Sequence, residues 1–191
     1  MKILICGGSG YIGSVLCPLL SLEHEVTVFD IVPPIDGINF LLGDISYQLP
    51  PMDVDAIIYL AGITNNDDCE RDPIKHIAVN KYAFRPIFNA AYHAGVRFIY
   101  ASSVAAYGTS EDELTEEYIL APTTLYGKAK ADCEDWMGDY GVRVRSASVC
   151  GPSPRLATHL TINKMIHDGL TKGVVTVNGG SQTRCHVHIR D

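Results

Sequence analysis

Gly7-Gly8-Ser9-Gly10-Tyr11-Ile12-Gly13 lies between a short apolar run and an amphipathic one. It satisfies G-x-x-G-x-x-G from Gly7 and G-x-G-x-x-G from Gly8. Glycines suit such a place because the turn takes unusual backbone angles and lets a pyrophosphate approach the main chain. Gly7, Gly10 and Gly13, with the N–H groups of Tyr11 and Ile12 at the start of the following helix, are therefore candidate phosphate-binding residues. Asp30 adds a second condition. It ends the next apolar run, 17 residues after Gly13, where a carboxylate accepts hydrogen bonds from the adenosine ribose of a dinucleotide. The residues after it are Ile31, Val32 and Pro33, with no adjacent Arg or Lys to offset a 2′-phosphate, so the pattern favours NAD over NADP.

Tyr126 and Lys130 form a second pair, standing at i and i+4 in Tyr126-Gly127-Lys128-Ala129-Lys130 and hence on one face of a helix. A phenol with a pKa of about 10 is a poor base at neutrality. A nearby ammonium and a cationic nicotinamide ring both favour the phenolate, which could then take a proton from a sugar hydroxyl. Ser102-Ser103 end another apolar run, at the edge where open α/β sheets bind ligands. Ser103 is placed to hold a substrate oxygen and share its proton.

Positioning these residues requires a particular scaffold. Short β-branched runs alternate with longer amphipathic stretches, the signature of βαβ units in a parallel sheet. The pattern predicts strands over 2–6, 25–29, 38–42, 56–60, 96–101 and 142–147. It predicts helices over 11–22, 73–94 and 123–140, with a loop marked by Pro33-Pro34 and Asp36-Gly37. Gly95 is the expected stop of the long helix. Beyond Cys150-Gly151-Pro152 the rhythm changes to a helix near 156–168 and two short strands, 174–177 and 185–189. The expected fold is thus α/β, a Rossmann-type doubly wound parallel sheet over 1–150, followed by a small substrate-facing annex over 151–191. The annex looks cut short, because the sequence stops at Asp191 directly after a strand.

The 191 residues carry 15 Lys+Arg against 22 Asp+Glu, for a formal net charge of −7, and 47% are hydrophobic. That composition supports a sizeable core and excludes a disordered chain. Negative charge argues against a nucleic-acid partner. No run approaches the about 18 apolar residues of a membrane helix, and the start lacks a secretory h-region. Six scattered cysteines without a C-x-x-C pair fit a cytoplasmic location. His186 and His188 share a strand face, but no third ligand stands at a metal-site spacing, so no metal is expected.

Together these residues resemble the extended branch of the short-chain dehydrogenase/reductase family, the NAD-dependent nucleotide-sugar epimerases and dehydratases. The carriers are Gly7-x-x-Gly10-x-x-Gly13, Asp30, Gly43-Asp44-Ile45, Leu60-Ala61-Gly62, Asn80, Ser102-Ser103-x-x-x-Tyr107-Gly108, Tyr126-x-x-x-Lys130 and Gly151-Pro152. The resemblance implies that Asp44 and Ile45 contact the adenine and that Leu60, Ala61 and Gly62 line the dinucleotide. It implies that Asn80 holds a water linking Lys130 to solvent, that Lys130 binds the nicotinamide ribose, and that Ser103 and Tyr126 are the catalytic pair. In the stretch from Asn178 to Asp191, Arg184 is the candidate for gripping the nucleotide of a UDP-sugar. Relatives pair through two long helices, here 73–94 and 123–140, which implies a homodimer with Ile87, Phe88, Ala91 and Trp136 as candidates for its apolar face.

Where dehydratases of this family carry an Asp-Glu pair after the catalytic hydroxyl residue, this chain has Val104 and Ala105, which cannot transfer protons. Decarboxylating relatives keep a Glu at Ala105, and 3,5-epimerising ones a Cys at Val104. What remains is 4-epimerisation through a transient 4-keto sugar, or a simple reversible oxidation. Ser148-Val149-Cys150-Gly151-Pro152 departs from the common Asn-Val-Tyr-Gly-Pro and removes a substrate-facing amide. A second reading stays open: an NAD-binding module or sensor without turnover, for want of the part that closes the sugar site.

Overall fold

The computed structural model describes residues 1–35, 37–177 and 179–191; Asp36 of the expected loop and Asn178 of the tail motif lie outside the described residues. β1 (Lys2–Cys6), β2 (Glu25–Asp30), β3 (Asn39–Leu42), β4 (Ala56–Tyr59), β5 (Arg97–Ser103) and β6 (Val142–Ser146) form one sheet. Its order is β3-β2-β1-β4-β5-β6, and each adjacent pair runs parallel. This is the doubly wound arrangement that the alternating pattern predicts, with strand order reversing between β1 and β4.

Strand alternation explains why β1 is apolar throughout. Leu4 and Cys6 enter one core with Phe29, Ile57 and Tyr59, whereas Ile3 and Ile5 enter another with Val26, Val28 and Cys17. A strand covered on both faces cannot spare a polar position. The second core is closed by α1 (Gly13–Leu20), through Cys17. The first is closed by α4 (Phe84–Ala94) and α5 (Leu125–Met137), where Phe84, Phe88, Phe98 and Tyr100 meet in edge and stacked contacts 4.8–5.7 Å between centroids.

Several expectations need correction. Ile87, Phe88 and Ala91 are fully spent in this core, 0–5% exposed, so they are not a free dimer face; Trp136 packs partly against it. The expected helix over 73–94 is α3 (Pro73–Ile77), a π-helical turn (Ala78–Tyr82) and α4, and it is preceded by an unanticipated α2 (Asn66–Arg71). Asn65 caps α2 by accepting the Asp67 N–H, and Asp72 caps α3 by accepting the Lys75 N–H, which breaks the chain between them. Gly95 ends α4 at φ +69°, as its position predicts.

Beyond β6, β7 (Ser148–Cys150) leaves the main sheet and pairs in parallel with β8 (His186–His188). The strand expected over 174–177 does not form, and Val174, Val175 and Val177 are exposed there. The helix expected over 156–168 is instead α6 (Thr161–Lys172). Its start is displaced because Asn163 turns back, accepting the Gly151 N–H and donating to the Ala157 carbonyl, and so keeps 151–160 out of the helix. Among the described residues, no helix is long and apolar enough to cross a membrane.

Candidate active site

The carboxyl ends of the strands open, at the reversal of strand order, on a crevice of about 1220 Å³. Gly7, Gly10, Tyr11, Ile12 and Gly13 line it. A Cβ at Gly7, where φ is +81°, would lie 2.5 Å from the Ala61 nitrogen, and one at Gly13 would lie 2.3 Å from the Gly8 carbonyl oxygen. Both positions therefore exclude a side chain for internal reasons. Gly10 differs: nothing approaches a Cβ there closer than 3.4 Å, and the residue is exposed, so its bare backbone faces the open crevice. No side chain caps the start of α1 at Ile12, which leaves the helix end free for an anion.

Asp30 is held on both carboxylate oxygens. Oδ2 accepts the Ser9 N–H at 3.0 Å, and Oδ1 accepts those of Ile31 and Val32 at 2.7 and 3.3 Å. The group thus lines the crevice in a fixed orientation beside the glycine turn. Asp44 and Ile45 line the same end, with Asp44 Oδ1 accepting the Ser46 N–H at 2.8 Å. Leu60, Ala61 and Gly62 form the adjoining wall. A bare glycine at the turn, an uncapped helix start and an oriented carboxylate at the second strand's end together fit a dinucleotide such as NAD.

Asn80 stands behind that wall rather than in the crevice. Its Oδ1 accepts the Ile63 N–H and its Nδ2 donates to the Ile63 carbonyl, both at 2.7 Å, and Nδ2 also lies 2.9 Å from His76 Nδ1. Its side chain thereby braces the 60–63 loop. The π-helical turn that carries it is a local insertion of the kind found at functional sites.

Ser103, Tyr126 and Lys130 share the inner end of the crevice. Ser103 caps a 3₁₀ turn (Val104–Ala106), its Oγ accepting the Ala105 N–H at 3.1 Å, and its hydroxyl favours the ionised form of the neighbouring Tyr126 phenol. Lys130 is 4% exposed; its Nζ donates to the Ala101 carbonyl at 2.6 Å and lies 5.6 Å from the Tyr126 ring centroid. Burial pulls the Lys130 amine down to about 8. Burial also pushes the Tyr126 phenol up to about 12, with the Ser103 hydrogen bond acting in the opposite sense. Desolvation of the phenolate is the larger of these effects.

Two supporting features escaped sequence reasoning. Gly127 docks α5 on the 3₁₀ turn: a Cβ there would lie 2.3 Å from the Ala105 carbonyl oxygen. Nothing in a lone glycine between Tyr126 and Lys128 announces that contact. Behind Ser103, buried Ser102 donates to Glu134 Oε1, and Arg145 grips the Glu134 carboxylate with Nη2–Oε2 at 2.6 Å. Arg145 Nη1 also donates to the Tyr107 hydroxyl at 3.0 Å and to the Glu116 carbonyl at 2.9 Å. The only sequence signal was Glu134 four residues after Lys130 on α5.

The opposite rim comes from the segment after β6. Arg184, exposed, lines the crevice with Arg155 and His159, two residues not anticipated there. His159 Nε2 lies 3.3 Å from Thr64 Oγ1 across the opening. Among the described residues no group of His, Cys, Asp and Glu could hold a metal ion.

The family described as "Epimerase: NAD dependent epimerase/dehydratase family" matches residues 3–191. UDP-glucuronic acid decarboxylase 1 of Xenopus tropicalis is 29% identical over 215 residues, covering 100% of this chain and 51% of that protein. D-erythronate dehydrogenase of Haemophilus influenzae is 29% identical over 175 residues, 78% of this chain and 55% of that protein. The chain thus spans about half the length of these curated relatives. UDP-glucose 4-epimerase of Klebsiella pneumoniae is 33% identical over 129 residues, 56% of this chain and 93% of the other. In fold, the chain superposes on UDP-glucuronic acid 4-epimerase from Bacillus cereus, solved with UDP-glucuronic acid and NAD, at a TM-score of 0.86 and 22% identity, covering 100% of this chain and 70% of that one.

Proposed function

The chain belongs to the NAD-dependent epimerase/dehydratase family, and from that premise we propose that it acts as a nucleotide-sugar 4-epimerase on a UDP-sugar. The observation that carries this reading is the convergence of Ser103, Tyr126 and the buried Lys130 on one end of the crevice, with two side chains that cannot move protons, Val104 and Ala105, directly after Ser103. When bound, NAD supplies the hydride acceptor and donor. Tyr126 takes the proton of the sugar 4-hydroxyl and later returns it. Ser103, its Oγ accepting the Ala105 N–H, directs its single O–H proton to the phenolate before the transfer and to the sugar oxygen after it. Lys130 orients the nicotinamide ribose, and Arg184 holds the nucleotide of the substrate.

A cationic ring close to Tyr126 would offset the burial that pushes its phenol up to about 12. The phenol is then a working base only in the loaded crevice. That is useful chemistry, because the empty site would not abstract protons.

The test is turnover of UDP-glucose and UDP-galactose by the parent and by Tyr126→Phe, with the epimer ratio read by chromatography. Loss of the phenol is expected to lower turnover by about 10²–10⁴-fold while NAD binding persists. Unchanged turnover would remove Tyr126 from the mechanism. The likeness to D-erythronate dehydrogenase supports a second reading, a simple oxidoreductase, since the same three groups suffice for it. Stoichiometric accumulation of reduced nicotinamide without an epimer would favour that reading. NAD binding with no turnover of any nucleotide sugar would leave a dinucleotide-binding module.

A further inference from the structure

A single guanidinium outside the crevice joins the elements that carry the reacting groups. Parallel register sets Arg145 of β6 opposite Ser102 of β5. Ser102 stands between Ala101, whose carbonyl accepts the Lys130 ammonium, and Ser103. Its hydroxyl donates to Glu134 of α5, and Arg145 chelates that carboxylate, with Nε at 3.1 and 3.0 Å and Nη2 at 2.6 Å. Nη1 is spent elsewhere, on the Tyr107 hydroxyl at 3.0 Å and the Glu116 carbonyl at 2.9 Å, and the guanidinium lies 4.8 Å from the Tyr107 ring centroid. Neither Arg145 nor Glu134 lines the crevice, and their side chains are 15% and 4% exposed.

The Nη1 arm matters because residues 107–124 form neither helix nor strand. This stretch begins four residues after Ser103 and ends two before Tyr126, and Thr109, Ser110 and Leu114 on it line the crevice. So long an irregular segment in a compact domain points to function and needs a brace. The Ala121 N–H supplies one to the Tyr107 carbonyl at 3.2 Å, and Arg145 supplies another. We propose that Arg145 is a positioning residue with two arms: one fixes the 107–118 segment as a wall for the nucleotide sugar, the other, through Glu134 and Ser102, fixes the strand end that presents Ser103 and anchors Lys130. The inference rests on the nucleotide-sugar reading of this site. A planar fork can serve both arms at once, whereas an ammonium is a point charge and cannot. Stability alone does not account for the pair, since burying two charges costs about as much as their attraction returns.

Removing Arg145 or Glu134 singly would strand a buried charge and endanger folding, so the decisive variants leave the ion pair intact and cut one arm each. Turnover of UDP-glucose and UDP-galactose and calorimetric NAD binding are measured for the parent, Tyr107→Phe, Ser102→Ala and Arg145→Lys, per folded molecule. Tyr107→Phe is expected to raise KM for the sugar by about threefold or more with kcat within about twofold, and Ser102→Ala to lower kcat by about threefold or more with KM little changed. Arg145→Lys should show both losses. NAD affinity should stay within about twofold in Tyr107→Phe. Lower thermal midpoints with KM and kcat unchanged, or identical effects of the two arm variants, would reduce the network to a structural role and overturn the assignment. A parent that turns over neither sugar defeats the 4-epimerase reading instead. The wall is then read directly, as a dissociation constant for UDP-galactose by calorimetry on the NAD-loaded protein: weakening by about threefold in Tyr107→Phe upholds it, and an unchanged value, or no binding to the parent, overturns it.

Discussion

Lys130 is a buried ammonium whose one hydrogen bond is to the Ala101 carbonyl, and burial holds its amine at about 8 against an ordinary 10.5. Below about pH 8 it is protonated in both the folded and unfolded chain, and the folded protein bears the whole desolvation cost. Between 8 and 10.5 the unfolded chain binds more protons, so this group's contribution makes stability rise with pH until the cost is gone. Lys130→Met is therefore expected to be more stable than the parent at neutral pH, by about 1–3 kcal/mol, and to lose that margin near pH ~10. Urea titrations at the two pH values check this; equal midpoints at neutral pH would contradict it. Turnover should fall in the same variant, the usual exchange of activity for stability at a strained site. Such residues were legible in sequence because local spacing defines them: Tyr126 and Lys130 lie one turn apart, and Gly7 to Gly13 and Asp30 bracket one βαβ unit. Glu134 and Arg145 were not, because their meaning comes from Ser102 and Tyr107, residues 32 and 38 positions away.

The catalytic elements are held in register by contacts that tolerate little. α5 rests on the 3₁₀ turn through Gly127, so Gly127→Ala should lift the helix and separate Tyr126 from Ser103. Turnover is expected to drop by about tenfold or more with a smaller loss of NAD affinity, because Lys130 moves with α5 while the turn at Gly10 is untouched. Kinetics beside NAD calorimetry distinguish this from general unfolding, which would lower both. On the other side of the crevice, Asn80→Ala removes both clamps on Ile63 and the partner of buried His76. It should cost about 1–3 kcal/mol and weaken NAD binding through the released 60–63 wall, measurable by thermal unfolding with and without NAD. Sequence periodicity recovered the sheet and its main helices but missed α2, whose Asn66-Asp67-Asp68-Cys69-Glu70-Arg71 has almost no apolar face to betray it. It also placed a strand at 174–177, where β-branched residues find no partner strand, and started α6 too early because the claims of Asn163 on Gly151 and Ala157 are tertiary.

For the molecule as a whole, a ligand that bridges the glycine turn, Asp30 and the segment after β7 should tie the two rims together. NAD at about a hundred times its dissociation constant is expected to add about 2.7 kcal/mol to unfolding, seen as a rise in Tm. The same rise should shrink in Gly10→Val, which puts a side chain into the bare turn. We also propose a homodimer, built on the exposed flank of the π-helical turn, α4 and α5 rather than on their buried apolar side. There Lys81 pairs with Asp132 at 2.5 Å and, with Arg85, lies over the Trp136 ring at 5.4 and 5.2 Å. A monomeric mass by light scattering would contradict it. Residues 151–153 lie across the glycine turn, and this has a temporal consequence too. The hydrogen bonds from Tyr11 to Gly151 and from Ser153 to Tyr11 span 140 and 142 residues. The glycine turn is synthesised some 140 residues before its outer wall, so it stands open on the nascent chain until residues 151–153 emerge.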